Sequence, residues 1–240
     1  LIRLFVQAPL GEGEAIELGP ERAHYLSRVM RLAPGEAVLV FNGRDGEWRA
    51  RLESLGRRSA LAVVEARRRP QAGGPDLELI VALVKRAALE TIIEKATELG
   101  VRRVRLVTSE RTNADHANVA RLGLIAMEAA EQCGRLDVPS IEAPEPLAGI
   151  LASWPTGRRL MFCDESGDAP GPIRALGPGS GAPWAVLVGP EGGFSADERA
   201  RLRSHDAVTP VWLGPRILRA ETAAIAALAL WQASLGDWGA

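Results

Sequence analysis

The stretch WAVLVGPEGGFSADERARLRSHDAVTPVWLGPRILRAET, residues 184–222, decides the fold of this 240-residue chain. It contains two similar passages in succession. Each opens on a short apolar run, Ala185–Val188 and then Val211–Leu213, and each run ends in Gly-Pro, at Gly189-Pro190 and Gly214-Pro215. Short apolar runs bounded by Gly and Pro predict buried strands of a parallel sheet. Ligands of such sheets gather beyond the carboxyl ends of the strands, where both Gly-Pro turns fall. Glycine lets backbone approach a ligand closely, and proline fixes the turn. Ser195-Ala196-Asp197-Glu198 is a capping box that starts a helix whose free N–H groups point back towards the first turn. A single Gly-Pro turn is ordinary strand punctuation. Two in tandem, followed by Glu191 and by Arg216, Arg219 and Glu221, predict a pocket made largely of backbone.

Upstream of this stretch the chain alternates strand and helix. Leu77–Val84 reads as a buried strand, Leu89–Leu99 as a helix stopped by Gly100, and Val104–Thr108 as the next strand. Val119–Cys133 reads as a long helix, Leu147–Trp154 as a short one, and Leu160–Cys163 as a strand. The Gly- and Pro-rich run Ser166–Pro183 reads as loop, and a final helix spans Glu221–Leu235. This alternation predicts a mostly parallel sheet covered on both faces.

Residues 1–70 differ. Weak alternation in Ile2–Val6, an apolar run Ala37–Phe41 and the turn pairs Asn42-Gly43 and Asp45-Gly46 predict a hairpin returning through Glu47–Leu52. Ala60–Glu65 adds a further strand, and Glu21–Met30 a short helix burying Ala23, Leu26, Val29 and Met30. Several short strands with one helix predict a small barrel. Arg67–Pro75 reads as a linker, which gives domains at 1–70 and 76–240.

Composition narrows the function. The chain is 47% hydrophobic and 25% charged, values of a globular protein, and no apolar run approaches the roughly 18 residues of a membrane span. No positively charged apolar leader is read at its start, and a cytoplasmic protein is expected. Cys133 and Cys163 lack metal-ligand spacing and suggest neither a disulfide framework nor a metal site, as do the scattered His24, His116 and His205. No GxGxxG or phosphate-binding loop is present. Net charge is −1, but residues 1–74 hold 12 Arg against 9 acidic groups, an asymmetry suited to phosphate recognition. Glu128–Arg135 reads as a solvated helix end with a glycine stop.

Taken in order, EKATELGV (94–101), SER (109–111), EQCGR (131–135), LVGPEGGFSADE (187–198) and LGPRILRAET (213–222) resemble the RsmE family of 16S rRNA uridine-N3 methyltransferases in the SPOUT superfamily. HYLSRVMRLAPGE (24–36) is similar to that family's PUA-like domain, so the likeness covers essentially the whole chain. The resemblance implies an α/β SPOUT domain with a deep C-terminal trefoil knot, preceded by a PUA-like β-barrel. It implies S-adenosylmethionine as cofactor, a homodimer, and small-subunit rRNA as substrate. Cofactor contacts carry over to Leu187, Gly189, Pro190, Glu191, Gly192, Leu213, Gly214, Ile217, Leu218 and Thr222. Arg219 is the candidate for stabilising an anionic uracil; Glu221 is a candidate for proton removal, with Glu191 its competitor. Arg28, Arg31 and Arg135 are candidate phosphate contacts, which position rather than specify. The family's polar Gly-acid-base turn is replaced here by Lys85-Arg86-Ala87-Ala88. The rival readings are a tRNA ribose methyltransferase of the same superfamily and a non-catalytic RNA binder.

Overall fold

The computed structural model describes residues 1–113, 116–177 and 181–239. The chain divides into two units, Leu1–Gly73 with Ala130–Val138, and Gly74–Ala129 with Pro139–Ala240.

The second unit alternates without exception. β6 (Leu77–Ala82), α2 (Arg86–Glu98), β7 (Arg103–Thr108), α3 (Val119–Cys133), β8 (Ser140–Pro146) and α4 (Leu147–Ala152) lead to β9 (Arg159–Cys163) and α5 (Pro172–Leu176). β10 (Trp184–Val188), α6 (Ala196–Ser204), β11 (Val208–Val211) and α7 (Ala220–Leu235) complete it. All six strands pair in parallel, in the order β11-β9-β10-β6-β7-β8. β6 and β10 are central and buried along their whole length, which is why their sequences are apolar rather than alternating, save for Glu78 of β6, which is buried but paired with Arg103 and Arg158. α2 buries Leu89, Ile92, Ile93 and Ala96, the spacing of one helical face. Gly100 ends it with φ +80, and the Gln232 amide of α7 donates to the Leu99 carbonyl at 2.7 Å, satisfying an orphan acceptor. The capping box of α6 is complete, Ser195 and Glu198 each accepting the other's backbone N–H; such a cap contributes about 1 kcal/mol.

Four expectations are corrected here. β8 was not anticipated, because its seven residues bury no side chain and include Pro144 and Pro146; an edge strand tolerates both. β11 ends where a strand was expected to begin, since its ladder with β9 runs through Val208–Val211 and leaves Trp212 and Leu213 to the loop beyond. The Ser166–Pro183 run contains α5, started by Pro172 in the first turn, where a missing N–H costs nothing; residues 178–180 lie outside the described residues. Arg67–Arg69 are strand and not linker, as β5 pairs with β4 out to Arg69.

The first unit holds a five-stranded sheet in the order β1-β3-β4-β5-β2, from β1 (Arg3–Phe5), β2 (Ala15–Leu18), β3 (Ala37–Phe41), β4 (Glu47–Leu55) and β5 (Ala60–Arg69). β2 is a four-residue alternation too short to stand out in sequence. The β3–β4 turn forms because Asn42 accepts the N–H groups of Arg44 and Asp45 while donating to Asp45 and to the Ala8 carbonyl. The expected helix over 21–30 is two pieces: α1 (Pro20–His24) and a π-helical turn, Tyr25–Val29. The last residues of α3 belong to this unit. Arg3 donates to the carbonyls of Ala130, Glu131 and Arg135, while the Glu131 carboxylate accepts from Phe5 N–H at 2.8 Å and from Arg22. The end of α3 is therefore a docked segment rather than a solvated one.

Candidate functional site

Parallel order alone brings three loops together. β9 lies between β11 and β10, so the loop leaving β9 must sit between the two Gly-Pro turns. The three surround one cavity of about 350 Å³, within the range of small-molecule sites.

The first wall is the 189–195 turn. Gly193 N–H donates to the Pro190 carbonyl at 2.9 Å, and Gly193 holds φ +66. Phe194 folds under the turn, fully buried, edge-on to Phe162 with ring centroids 5.4 Å apart. A Cβ on Gly189 would lie 2.7 Å from the Phe194 ring, so only glycine fits there.

The second wall follows β9. Asp164 is buried and pairs with Arg203 of α6 at 2.6 Å, while accepting Ser166 N–H at 3.1 Å. Glu165 pairs with Arg199 at 2.8 Å and backs onto Gly193. Arg203 also holds Asp168 and Ser166. Its hydrogen bond, followed by that of Ser166, keeps the Asp168 carboxyl well below the usual carboxylate range. The loop is thus pinned to α6. Burial, aided by the charge of Glu165, pushes the Cys163 thiol up to about 12, so this wall offers no thiolate at neutral pH.

The third wall is the 212–219 loop. Trp212 N–H donates to the Pro170 carbonyl, Gly214 adopts φ +107, and residues 212–218 all line the cavity. Ile217 stands 95% exposed at this wall, an apolar side chain of that size left in water.

Residues 109–112 brace the first wall from outside. Glu110 N–H donates to the Glu198 carboxylate at 2.9 Å, and the Arg111 guanidinium donates to the Gly192 carbonyl at 3.1 Å. Glu198 meanwhile accepts Ser195 N–H. Two of the N–H groups at the start of α6, expected to face a ligand, are therefore taken within the capping box.

Of the ten cofactor candidates, Gly189, Pro190, Glu191, Leu213, Gly214, Ile217 and Leu218 line the cavity. Leu187 is buried within β10, Gly192 abuts Arg111, and Thr222 is exposed in the first turn of α7; these three lie outside the lining. Arg219 is exposed at the N-cap position of α7 and Glu221 half-buried in its first turn. Neither is in the wall, although Leu218 and Ala220 beside Arg219 are. Arg28 and Arg31 are exposed on one segment of the first unit. Arg135 is held differently, its guanidinium on Asp137 at 3.0 Å and its side chain only 12% exposed, which leaves it poorly placed for a phosphate. Lys85 and Arg86 open α2 directly, as N-cap and first helical residue. Among the described residues no cluster of three or more His, Cys, Asp or Glu has the arrangement of a metal site.

Sequence reasoning missed the wall after β9. Its signal was available, because Leu160–Cys163 is a third short apolar run, but it ends in Asp-Glu rather than Gly-Pro and so carried no turn mark.

Comparison with known proteins adds two family matches. An RNA methyltransferase domain matches residues 73–232, and an RNA methyltransferase PUA domain residues 18–65. A ribosomal RNA small subunit methyltransferase E of Rickettsia conorii is 31% identical, over 95% of this chain and 93% of that protein. One from Synechocystis is 32% identical, over 89% and 71%. In structure, the chain is similar to a ribosomal RNA small subunit methyltransferase E of Neisseria gonorrhoeae bound to S-adenosyl methionine, with TM-score 0.86, 29% identity and 99% coverage of both chains. A Legionella pneumophila protein in complex with the same cofactor gives TM-score 0.85 at 29% identity, covering 98% of both chains.

Proposed function

Because this chain belongs to the RsmE family of ribosomal RNA small subunit methyltransferases, we propose that it methylates N3 of one decoding-region uridine in 16S rRNA, using S-adenosylmethionine. The observation that carries the reading is the meeting of both Gly-Pro turns and the β9 loop around one cavity, inside the span of the methyltransferase match.

The residues present fit the cofactor. The cavity mixes apolar walls (Val188, Leu213, Leu218, Ala223) with backbone turns that side chains would block, as at Gly189, and with the acidic Glu165 and Glu191. Such a lining suits a molecule that is part aromatic, part cationic. When bound, S-adenosylmethionine supplies a methyl group made electrophilic by its sulfonium. The remaining work falls to the chain. Uridine N3 carries a proton and is a poor nucleophile until it leaves. Glu221 or Glu191 takes that proton. Arg219 holds the charge that develops on the uracil, a stabilisation of the oxyanion-hole kind. The pinned walls fix the geometry in advance, which lowers the entropic cost of alignment. The base must leave its stack to reach the site.

The same reading includes a deep trefoil knot in the second unit, supported by β10 entering between β9 and β6, strands already laid down before it, and by β11 returning beyond β9. It includes a homodimer, supported by Ile217 standing bare beside the cavity. It includes work in the cytoplasm, where rRNA is modified; among the described residues no helix is long and apolar enough to cross a membrane. The domain division is proposed at the 70–76 segment, with 130–138 joining the first domain.

Two glycines separate steric from conformational need. Gly189→Ala must displace a fully buried Phe194 and is expected to weaken S-adenosylmethionine binding about a hundred-fold or more in calorimetry. Gly214→Ala has open space and suffers only the positive φ, roughly 1–2 kcal/mol, or about ten-fold. Equal effects would contradict this picture of the first wall.

The deciding experiment is methyl transfer from labelled cofactor to small subunits lacking the modification, naked 16S rRNA and bulk tRNA, with nucleoside analysis of the product. 3-Methyluridine from rRNA or subunits is the expected result. A methylated ribose in tRNA, or no transfer to any substrate, overturns the reading.

A further inference from the structure

The π-helical turn Tyr25–Val29 breaks the pattern that its sequence sets. Helical spacing places Ala23, Leu26, Val29 and Met30 on one buried face. Ala23 and Leu26 are buried, but Val29 is 60% and Met30 39% exposed. The cause is the turn itself: Met30 N–H donates to the Tyr25 carbonyl five residues back, and this wider turn rotates Val29 and Met30 off the core. The same turn holds Tyr25, the chain's one tyrosine, itself 37% exposed, so three large exposed apolar side chains share one short segment.

Two exposed cations belong to the same segment. Arg28 lies within the turn, and Arg31 follows it with φ 55, the only non-glycine residue in the left-handed region among those described. No side-chain hydrogen bond or ion pair engages either guanidinium among the described residues, and Glu21 is the one acidic side chain between Gly19 and Leu32. A strained residue persists only where its surroundings impose it, and such residues gather at binding sites. An exposed aromatic ring on one short segment with exposed aliphatic side chains and two guanidinium groups matches one chemistry closely: an unpaired nucleobase with its neighbouring phosphates. A stable protein partner would engage roughly 20–30 residues a side, far more than the seven-residue segment Tyr25–Arg31 offers.

We propose that the Tyr25–Arg31 turn is a stacking platform for single-stranded RNA, Tyr25 taking a base with Val29 and Met30 at its edge, and Arg28 and Arg31 holding the flanking phosphates. It rests on the rRNA reading above and adds to it a place where a base is gripped outside the cofactor cavity. The platform reads an unstacked nucleotide near the target and so favours a loop or open strand over a duplex.

The test is fluorescence anisotropy with a labelled single-stranded 16S rRNA fragment and the same fragment annealed to its complement. Tyr25→Ala is expected to weaken single-strand binding roughly 5- to 100-fold, and Tyr25→Phe to bind as wild type. Arg31→Gly keeps the backbone, since glycine accepts this φ, yet removes the guanidinium; with Arg28→Ala it should lower both affinity and the salt dependence of binding. S-adenosylmethionine affinity should stay unchanged in all of them, and an unchanged thermal unfolding profile shows that the first unit, which carries the substitutions, is folded. Unchanged RNA affinity in Tyr25→Ala overturns the platform alone, as does equal loss in Tyr25→Phe. Failure of the wild-type chain to bind the fragment overturns the platform, whereas failure of methyl transfer to every substrate overturns the parent reading.

Discussion

Arg219→Ala is expected to lower kcat for methyl transfer by about 10²–10³-fold, the loss typical of removing one preorganised donor from a developing anion. Arg219 precedes α7 with no side-chain role in its cap, and among the described residues its guanidinium has no hydrogen-bond or ion-pair partner. Its truncation therefore breaks no native contact, and stability should move by less than about 0.5 kcal/mol. Cofactor affinity should also hold, because Arg219 is not among the lining residues. An interaction made only in the transition state lowers kcat and kcat/KM equally, and that is the expected signature. Arg219→Lys restores charge but not the planar fork, so partial recovery is expected. A variant that turns over at the wild-type rate, or one that loses only KM for RNA, would move Arg219 from the chemistry to mere RNA binding.

Arg3→Ala is expected to cost about 3–5 kcal/mol, the usual effect of removing one partner from a buried ion pair. Arg3 meets the Glu47 carboxylate at 2.6 Å with side-chain exposures of 11% and 6%. It also sits 4.4 Å from the Phe41 ring centroid and satisfies three carbonyls at the end of α3. Alanine would leave those acceptors without a donor and Glu47 with Arg69 alone. Arg3→Lys should recover only part, since a point charge cannot fill four acceptors. Denaturant midpoints at unchanged slope would measure both.

The same cluster has a pH signature. Burial works to raise the Glu47 carboxyl, but hydrogen bonds from Arg69 and Arg3 prevail and hold it below its ordinary 4.5. A depressed carboxylate contributes stability that is present above its unfolded value and lost as pH falls through the folded one. The stability gap between wild type and Glu47→Gln should therefore be full at neutral pH and shrink below about pH 4.5. A gap constant down to pH 3 would mean that the charge of Glu47 is irrelevant.

What sequence revealed depended on how each segment is stabilised. β6 and β10 were legible because strands buried on both faces are dominated by apolar residues, and the single charge in them, Glu78, does not break the run's signature. α3 and the capping box of α6 were legible from local patterns of their own. β8 and β11 lie at the edges, where backbone pairing suffices and side chains carry no signature. In the site, the Gly-Pro turns announced themselves, whereas Asp164, Glu165 and the bracing Arg111 enter only through strand order and contacts 34 to 81 residues apart. Glu131 read as a solvated helix end because its partners, Phe5 and Arg22, lie more than 100 residues earlier.

The reach of Arg3 for residues 130–135 also sets a schedule. As the chain leaves the ribosome, Gly73 completes the strands of the first unit, yet Ala130, Leu136 and the carbonyls that Arg3 requires are not yet made. At about 5–20 residues per second, the five strands wait some seconds for the segment that closes them. Over that interval Arg3 has Glu47 and Phe41 but not the carbonyls of the α3 end, and a chain cut after Gly73 would stay in that state permanently. The first unit, though it comes first in sequence, is finished second-hand by the middle of the chain.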